Sequence, residues 1–442
     1  MRYPTGASRR VTRRQGRRLA SLLSALVLLT VVSGCGEKTD DEGDGEDSGS
    51  SGTEEGAASP GDLLGPEDPA EGEPVKIGLV SDGATQAFDN TDELRAGQAT
   101  VEYLNTHKAG IAGRPVELVT CEAKAEPATA TDCANQFVEE GVVAVTLGQS
   151  AVAESIWEPL HAAGIPTMFF LASGEQIATD DQSSNIIANP LSTFYGLPIS
   201  AAEDAGTDRI AFVVIDVPVA LTTFESLGPQ ILENAGLEWD LITIPVGTAD
   251  MTSQMREVAE SGAGVVHVLG NDAFCIAAFQ GLEAVGYEGA ITSVAQCVTE
   301  ATREAVPGEQ LEGMFLTANV ALGAEDDETY QLYQAVMDEY GGEVTDVENP
   351  ITMSAYTAVG ALVAALQGVE GEITPESANA AIESMPETEL PGGGGVTFQC
   401  GGSALATQPA VCTNEWLRTA LDAEGQPDGY EVVDSSAILE GL

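Results

Sequence analysis

The sequence predicts an α/β fold made of two doubly wound parallel-sheet lobes joined by hinge strands. Three observations predict it. Short β-branched runs alternate with helix-length stretches of 3.6-residue periodicity, a pattern that specifies parallel sheets with helices on both faces. The alternation passes through two rounds, one before and one after about residue 190. The chain also has 442 residues, 43% of them hydrophobic and only 20% charged, which is too long for one ordinary core and apolar enough to bury two.

The elements follow in order. Arg2, Arg9, Arg10, Arg13, Arg14, Arg17 and Arg18 precede the apolar stretch Leu19 to Val32, the basic-then-apolar order of an export signal. That stretch is shorter than the ~20 apolar residues a permanent membrane helix needs. Val32-Ser33-Gly34-Cys35 is similar to a bacterial lipobox, so residues 1–34 are expected to be a signal peptide and Cys35 the acylated residue. An uncleaved anchor and a plain secretory signal are the alternatives. Ser8-Arg9-Arg10 hints at twin-arginine export, but Thr12-Arg13 stands where an apolar pair is expected. Residues 35–74 are rich in Gly, Ser, Pro and acid, as in Asp40-Asp41-Glu42-Gly43-Asp44, and read as an extended tether.

The folded body opens with the strand run Val75 to Val80 and a loop, Ser81 to Asn90. Asn90 with Glu93 has the form of a helix start, and Leu94, Gly97, Val101 and Leu104 continue one helical face. Further strands are expected at Val116 to Thr120, Val142 to Leu147, Pro166 to Phe170, Arg209 to Ile215, Leu241 to Pro245, Val265 to Leu269 and Ala290 to Val294. Helices between them are expected at Ala128 to Glu139, Ala151 to Ala163, Thr193 to Ala205, Thr222 to Ala235, Thr252 to Glu260 and Ala273 to Val285. Three more helices, Glu328 to Tyr340, Ile351 to Leu366 and Glu376 to Ser384, precede a β-like end at Gly392 to Phe398, Trp416 to Leu421 and Tyr430 to Val433. The expected division is a first lobe at 75–192, resumed at about 319–385, and a second at 193–318, resumed at about 386–442. Segments crossing between lobes act as hinges.

Charge and cysteine usage narrow the function class. Loss of the leader removes seven Arg and no acid, leaving ten basic against 70 acidic residues and a net charge of −60. Such a field excludes nucleic acid, which needs a basic surface, and it repels anionic lipid headgroups, so a covalent acyl chain is the expected means of membrane attachment. With Cys35 lipidated, six cysteines remain. Local pairing as Cys121–Cys133, Cys275–Cys297 and Cys400–Cys412 is one of fifteen connectivities, preferred because each pair closes a short segment. An even set suits an oxidising exterior. Zinc is the rival use, but no C-x-x-C occurs and His107, His161 and His267 are scattered, so no metal is expected.

In doubly wound sheets ligands sit beyond the carboxyl ends of strands, where helix N-termini present free N–H groups. Gln149-Ser150-Ala151 follows one expected strand and opens a helix, and Ala172-Ser173-Gly174 follows the next. Each serine is either a ligand contact or only a cap or turn residue.

Several runs resemble the type I periplasmic binding proteins, in particular their leucine/isoleucine/valine-binding branch. They are Val75-Lys76-Ile77-Gly78-Leu79-Val80-Ser81, Val143 to Ser150, Gly164-Ile165-Pro166, Ala172-Ser173, Arg209 to Val214 and Leu282 to Tyr287, and the likeness covers roughly Val75 to Val433. The resemblance implies a solute-binding lipoprotein outside the membrane, a monomer without cofactor. It would capture a small amino-acid-like or carboxylate ligand between the lobes and hand it to an ABC permease. In the family a serine and an alanine-threonine pair grip the ligand's α-carboxylate, and Ser150 and Ala172-Ser173 match them here. Phe88 stands roughly where the family has an aromatic. Two departures concern the second lobe, where a Tyr-Gly and an acidic residue are common in the family and Val219-Ala220-Leu221 and Gln296 stand here. A buried ammonium without a carboxylate is costly. Asp272 either replaces the missing charge or caps the helix beginning at Ala273.

A sensor of the same fold is the alternative to a transport component. An extracellular enzyme is the weakest reading, because G-x-S-x-G, Walker A and H-E-x-x-H are absent and Gly392 to Gly395 lacks the strand and helix of a phosphate loop.

Overall fold

The computed structural model describes residues 63–85, 88–172 and 174–439. The leader, Cys35 and Ser173 lie outside the described residues. The first sheet holds β1 (Val75–Ser81), β2 (Val116–Glu122), β3 (Ala144–Leu147), β4 (Thr167–Phe169) and β5 (Ser184–Ile186) in the order β2-β1-β3-β4-β5. All its pairings are parallel, with Val75 opposite Val116 and Ile77 opposite Ala144. β1 is an interior strand, and its apolar run is buried almost throughout because helices cover both faces. The helix Thr91–His107 lies so close that a Cβ on Gly97 would overlap the Leu79 side chain, which is why glycine stands on that face.

The second sheet holds β6 (Arg209–Ile215), β7 (Glu238–Ile244), β8 (Val265–Leu269), β9 (Ala290–Val294) and β10 (Phe315–Ala318), with two strands from the end of the chain. Between them a short hairpin forms from β11 (Thr388–Glu389) and β12 (Thr397–Phe398). The last strands, β13 (Glu415–Ala420) and β14 (Glu431–Asp434), extend the sheet to the order β14-β13-β10-β9-β8-β6-β7. β13 runs antiparallel to both β10 and β14, so this sheet is mixed, not wholly parallel as expected. The cause is connectivity. The turn from Leu421 to Pro427 joins β13 and β14 directly and needs no crossover helix. β5 and β10, with three and four residues, were not expected from the sequence.

After β10 the chain returns to the first sheet. Helices Glu328–Tyr340 and Pro350–Ala365 pack on Thr91–His107, and the second is apolar enough to span a membrane but is a core helix, with 78% of its apolar window buried. Leu390, Val396, Phe398, Cys400 and Cys412 share this core. Where the chain crosses between the sheets, buried Asn189 donates from Nδ2 to Asn414 Oδ1 at 2.9 Å, and Ser192 Oγ donates to the Asn414 carbonyl at 3.3 Å. Two crossing segments are thereby coupled to each other. The three local disulfides expected from spacing are all present, at Cys121–Cys133, Cys275–Cys297 and Cys400–Cys412.

Candidate functional site

The carboxyl ends of β1, β3 and β4 bring Asp82, Gln149-Ser150-Ala151 and Ala172 to one edge of the first sheet. Ser150 is half-buried at the opening of a helical turn, as expected, but its hydroxyl is already engaged. It donates to Asp82 Oδ1 at 2.8 Å, and the Ala151 N–H donates to Asp82 Oδ2 at 2.9 Å. Ser150 Oγ also accepts from the Val152 N–H at 3.2 Å. Asp82, only 2% exposed, therefore fills the donor pair that the sequence reserves for a ligand carboxylate. Ala172 is buried and leaves its backbone to define the neighbouring wall.

Beneath this group lies a second acid. Glu93 does not act in a capping box with Asn90, whose side chain makes no cap bond; it turns inward, where Ser81 Oγ meets Glu93 Oε2 at 2.5 Å. The other oxygen, Oε1, is buried without a hydrogen-bond partner and occupies the space a Cβ on Gly148 would need. Glu93 is pushed up to about 8: burial is the main cause, the Ser81 hydroxyl and the Gln149 backbone N–H oppose it, and the negative charge of Asp82 adds to it. Glu93 is accordingly a neutral acid at pH 7. Phe88, in the loop after β1, is 41% exposed and presents its ring to solvent.

On the second sheet, Asn271 rather than Asp272 caps the helix Asp272–Val285, accepting from the Phe274 N–H at 3.0 Å. Asp272 sits in the first turn, half-exposed, and accepts from the Ala273 N–H at 2.7 Å. The Cys275–Cys297 bridge holds this helix start against the turn that carries exposed Gln296. Asp272 and Gln296 thus belong to one rim, at the carboxyl ends of β8 and β9.

Among the described residues no group of three or more His, Cys, Asp or Glu is placed to hold a metal ion. His267 lies wholly buried in β8 against Thr292, and burial pushes its imidazole down to about 3. A cavity of about 590 Å³ lies away from the strand ends, on the flank of the first lobe between Tyr103, Leu332, Tyr356, Val363 and Pro391. Sequence reasoning missed Asp82 and the inward turn of Glu93. For Asp82 the one local signal was its place directly beyond the end of a strand, the ligand-facing position of this fold class.

Two α/β sheets linked by coupled crossing segments, with helix starts and polar loops at the carboxyl ends of their strands, define a two-lobed binding protein. The sequence profile of the periplasmic binding protein family matches residues 74–411, and the chain belongs to that family, one of substrate-binding proteins and not enzymes. No curated protein sequence matches it. Solved structures share the fold. A putative branched-chain amino acid ABC transporter protein from Rhodospirillum rubrum is 18% identical, with a TM-score of 0.65 over 82% of this chain and 100% of that one. The branched-chain amino acid transporter substrate binding protein LivJ from Streptococcus pneumoniae, in complex with isoleucine, is 16% identical, with a TM-score of 0.61 over 82% of this chain and 100% of that one. A solute binding protein from R. palustris, in complex with 4-hydroxybenzoate, is 18% identical, with a TM-score of 0.62 over 82% of this chain and 97% of that one.

Proposed function

We propose that the chain is the extracytoplasmic, lipid-anchored solute-binding component of an ABC-type importer, taking a small organic solute between its lobes. The observation that carries this reading is the family membership of residues 74–411 together with the polar groups at the strand ends of both sheets. The importer partner is supported by structural relatives named as ABC transporter proteins, and their different bound ligands leave the solute open. The proposed lobes are 75–192 with about 319–385 for the first and 193–318 with about 386–442 for the second, and Leu390, Val396 and Phe398 share a core with β1. On the second lobe Asp272 and Gln296 form the facing wall, and Phe88 supplies an aromatic surface from the first.

Export and anchoring rest on the leader and on Cys35, and three disulfides fit an oxidising exterior. A thermal-shift screen of the mature protein against amino acids, amides, amines and carboxylates tests solute binding. A ligand at 100 times its Kd adds ~2.7 kcal/mol of stability. In the source cell, Cys35→Ala protein should leave the membrane fraction. Its retention there would remove the lipid anchor from the proposal.

A further inference from the structure

We infer that the first-lobe wall of the site selects a solute whose head carries N–H donors, an amide, amine or amidine, and rejects a carboxylate head; this rests on the proposed solute-binding function. The observation is the Asp82–Ser150–Ala151 arrangement. A ligand carboxylate would need the Ser150 hydroxyl and the Ala151 N–H, and both already donate to Asp82, at 2.8 and 2.9 Å. An incoming anion would have to displace a buried carboxylate from its donors or lie beside it.

Among the described residues, the cations flanking this wall are already paired. Below Asp82, Glu93 is a further buried acid and brings no positive charge to the wall. Glu122 sits against Gly83, next to Asp82, and the cation beside it, Lys124, is paired with Glu122 itself. Arg95 on the adjoining helix is committed to Asp92 at 2.5 Å. Across the site, Asp272 adds a further acid. The same geometry suits a donor. A carboxylate has about four acceptor positions, Asp82 uses two, and Phe88 offers a ring face to an apolar or cationic group.

The test uses matched probes on the mature, disulfide-bonded protein: L-leucine against L-leucinamide, and benzoate against benzamide and benzamidine, by calorimetric titration. Parent protein should bind the nitrogen-headed member of at least one set tenfold or more tightly than its carboxylate partner. Amide against amidine then separates neutral from cationic heads. Asp82→Ala frees Ser150 and Ala151, so it should lose that preference and gain carboxylate binding that Ser150→Ala removes in the double variant. Asp82→Asn, which keeps an acceptor, covers the case in which Asp82→Ala is unstable, and it should weaken the amidine more than the amide. Parent binding of L-leucine or benzoate that is tighter than the nitrogen-headed partner, and lost in Ser150→Ala, would overturn the inference while leaving solute binding intact. If neither parent nor the Asp82 variants bind any probe, the inference falls, while the proposed function stands or falls on the wider thermal-shift screen.

Discussion

Ser81 Oγ and Glu93 Oε2 lie 2.5 Å apart beneath the strand ends of the first lobe, and both residues are buried. With Glu93 pushed up to about 8, chiefly by burial, its carboxyl keeps its proton at neutral pH. The protonated acid then donates to Ser81, and the Ser81 hydroxyl in turn donates a hydrogen bond to the Asn90 carbonyl, 3.0 Å away. This chain fixes the loop that carries Asp82 and Phe88 to the start of the helix Thr91–His107.

The first prediction is a pH dependence. Between the unfolded value of 4.5 and the folded value of about 8, the unfolded chain releases the Glu93 proton and the native chain holds it. The unfolded state then binds fewer protons, so stability falls as pH rises through this window and levels off above it. The loss is on the order of a few kcal/mol. Glu93→Gln keeps a donor for Ser81 without the titration. Urea unfolding from pH 5 to 9 should show the variant gaining on the parent as pH rises. A constant difference would refute the assignment.

Gly148→Ala should be destabilising for a reason particular to this place. The new methyl would meet Glu93 Oε1 and, at 2.7 Å, Ser354 Oγ. Overpacking a buried site costs ~1 to 3 kcal/mol. Because the main obstacle is one carboxyl, most of the cost should vanish in a Glu93→Ala background. A double-mutant cycle measures that coupling, and strict additivity would show that the neighbours shift elsewhere.

The fold class was legible because β1, β3, β6 and β8 are nearly continuous apolar runs between amphipathic helices, and each had its strand forecast within a few residues. Ser184–Ile186 was not, since a three-residue strand containing Asn185 has neither length nor period to announce it. The disulfides were legible from spacing alone. The electrostatics of the candidate site were not. Asp82 and Ser150 are 68 residues apart, and a Ser-Asp-Gly sequence after a strand looks like a turn until the sheet order brings β3 beside β1. Likewise Glu93 fits a capping pattern on local grounds, and only the packing of Gly148 and Ser354 around it shows that it points inward.

Removing the Cys275–Cys297 bridge should cost ~2 to 4 kcal/mol, since it closes a loop of 22 residues. It should also loosen the rim that holds Asp272 beside Gln296. In a Cys275→Ala/Cys297→Ala double variant, amides of residues 271–276 and 295–299 should exchange faster than those of the first lobe. Uniform acceleration across both lobes would mean that the bridge stabilises the whole fold and not this rim.

Asp92 supports the last prediction, because it joins the returning chain to the first helix. Its Oδ2 accepts from the Thr345 N–H at 3.0 Å, the Thr345 hydroxyl at 2.7 Å and the Asp346 N–H at 3.0 Å, while Oδ1 accepts from Arg95. Burial alone would raise this carboxyl, but the bonds from Thr345, Arg95 and Asp346 outweigh it and hold the group below its ordinary value. A depressed folded value means that the contribution is complete above the unfolded value near 3.8 and is lost as pH falls through the lower, folded one. Asp92→Asn should cost ~1 to 3 kcal/mol at pH 7, because the amide accepts through one oxygen and leaves a donor facing donors. The effect should be regional. Residues 341–349 should lose amide protection while the second lobe keeps its own, and the difference from the parent should shrink as pH falls below 3.8 toward the lower folded value, where the parent's native carboxyl takes up its proton. Hydrogen exchange followed by mass spectrometry at pH 7, with unfolding measured at pH 3 and pH 7, checks both parts. A variant whose 341–349 segment stays protected would show that Tyr333, whose hydroxyl donates to the Val347 carbonyl at 2.8 Å, holds this return without Asp92.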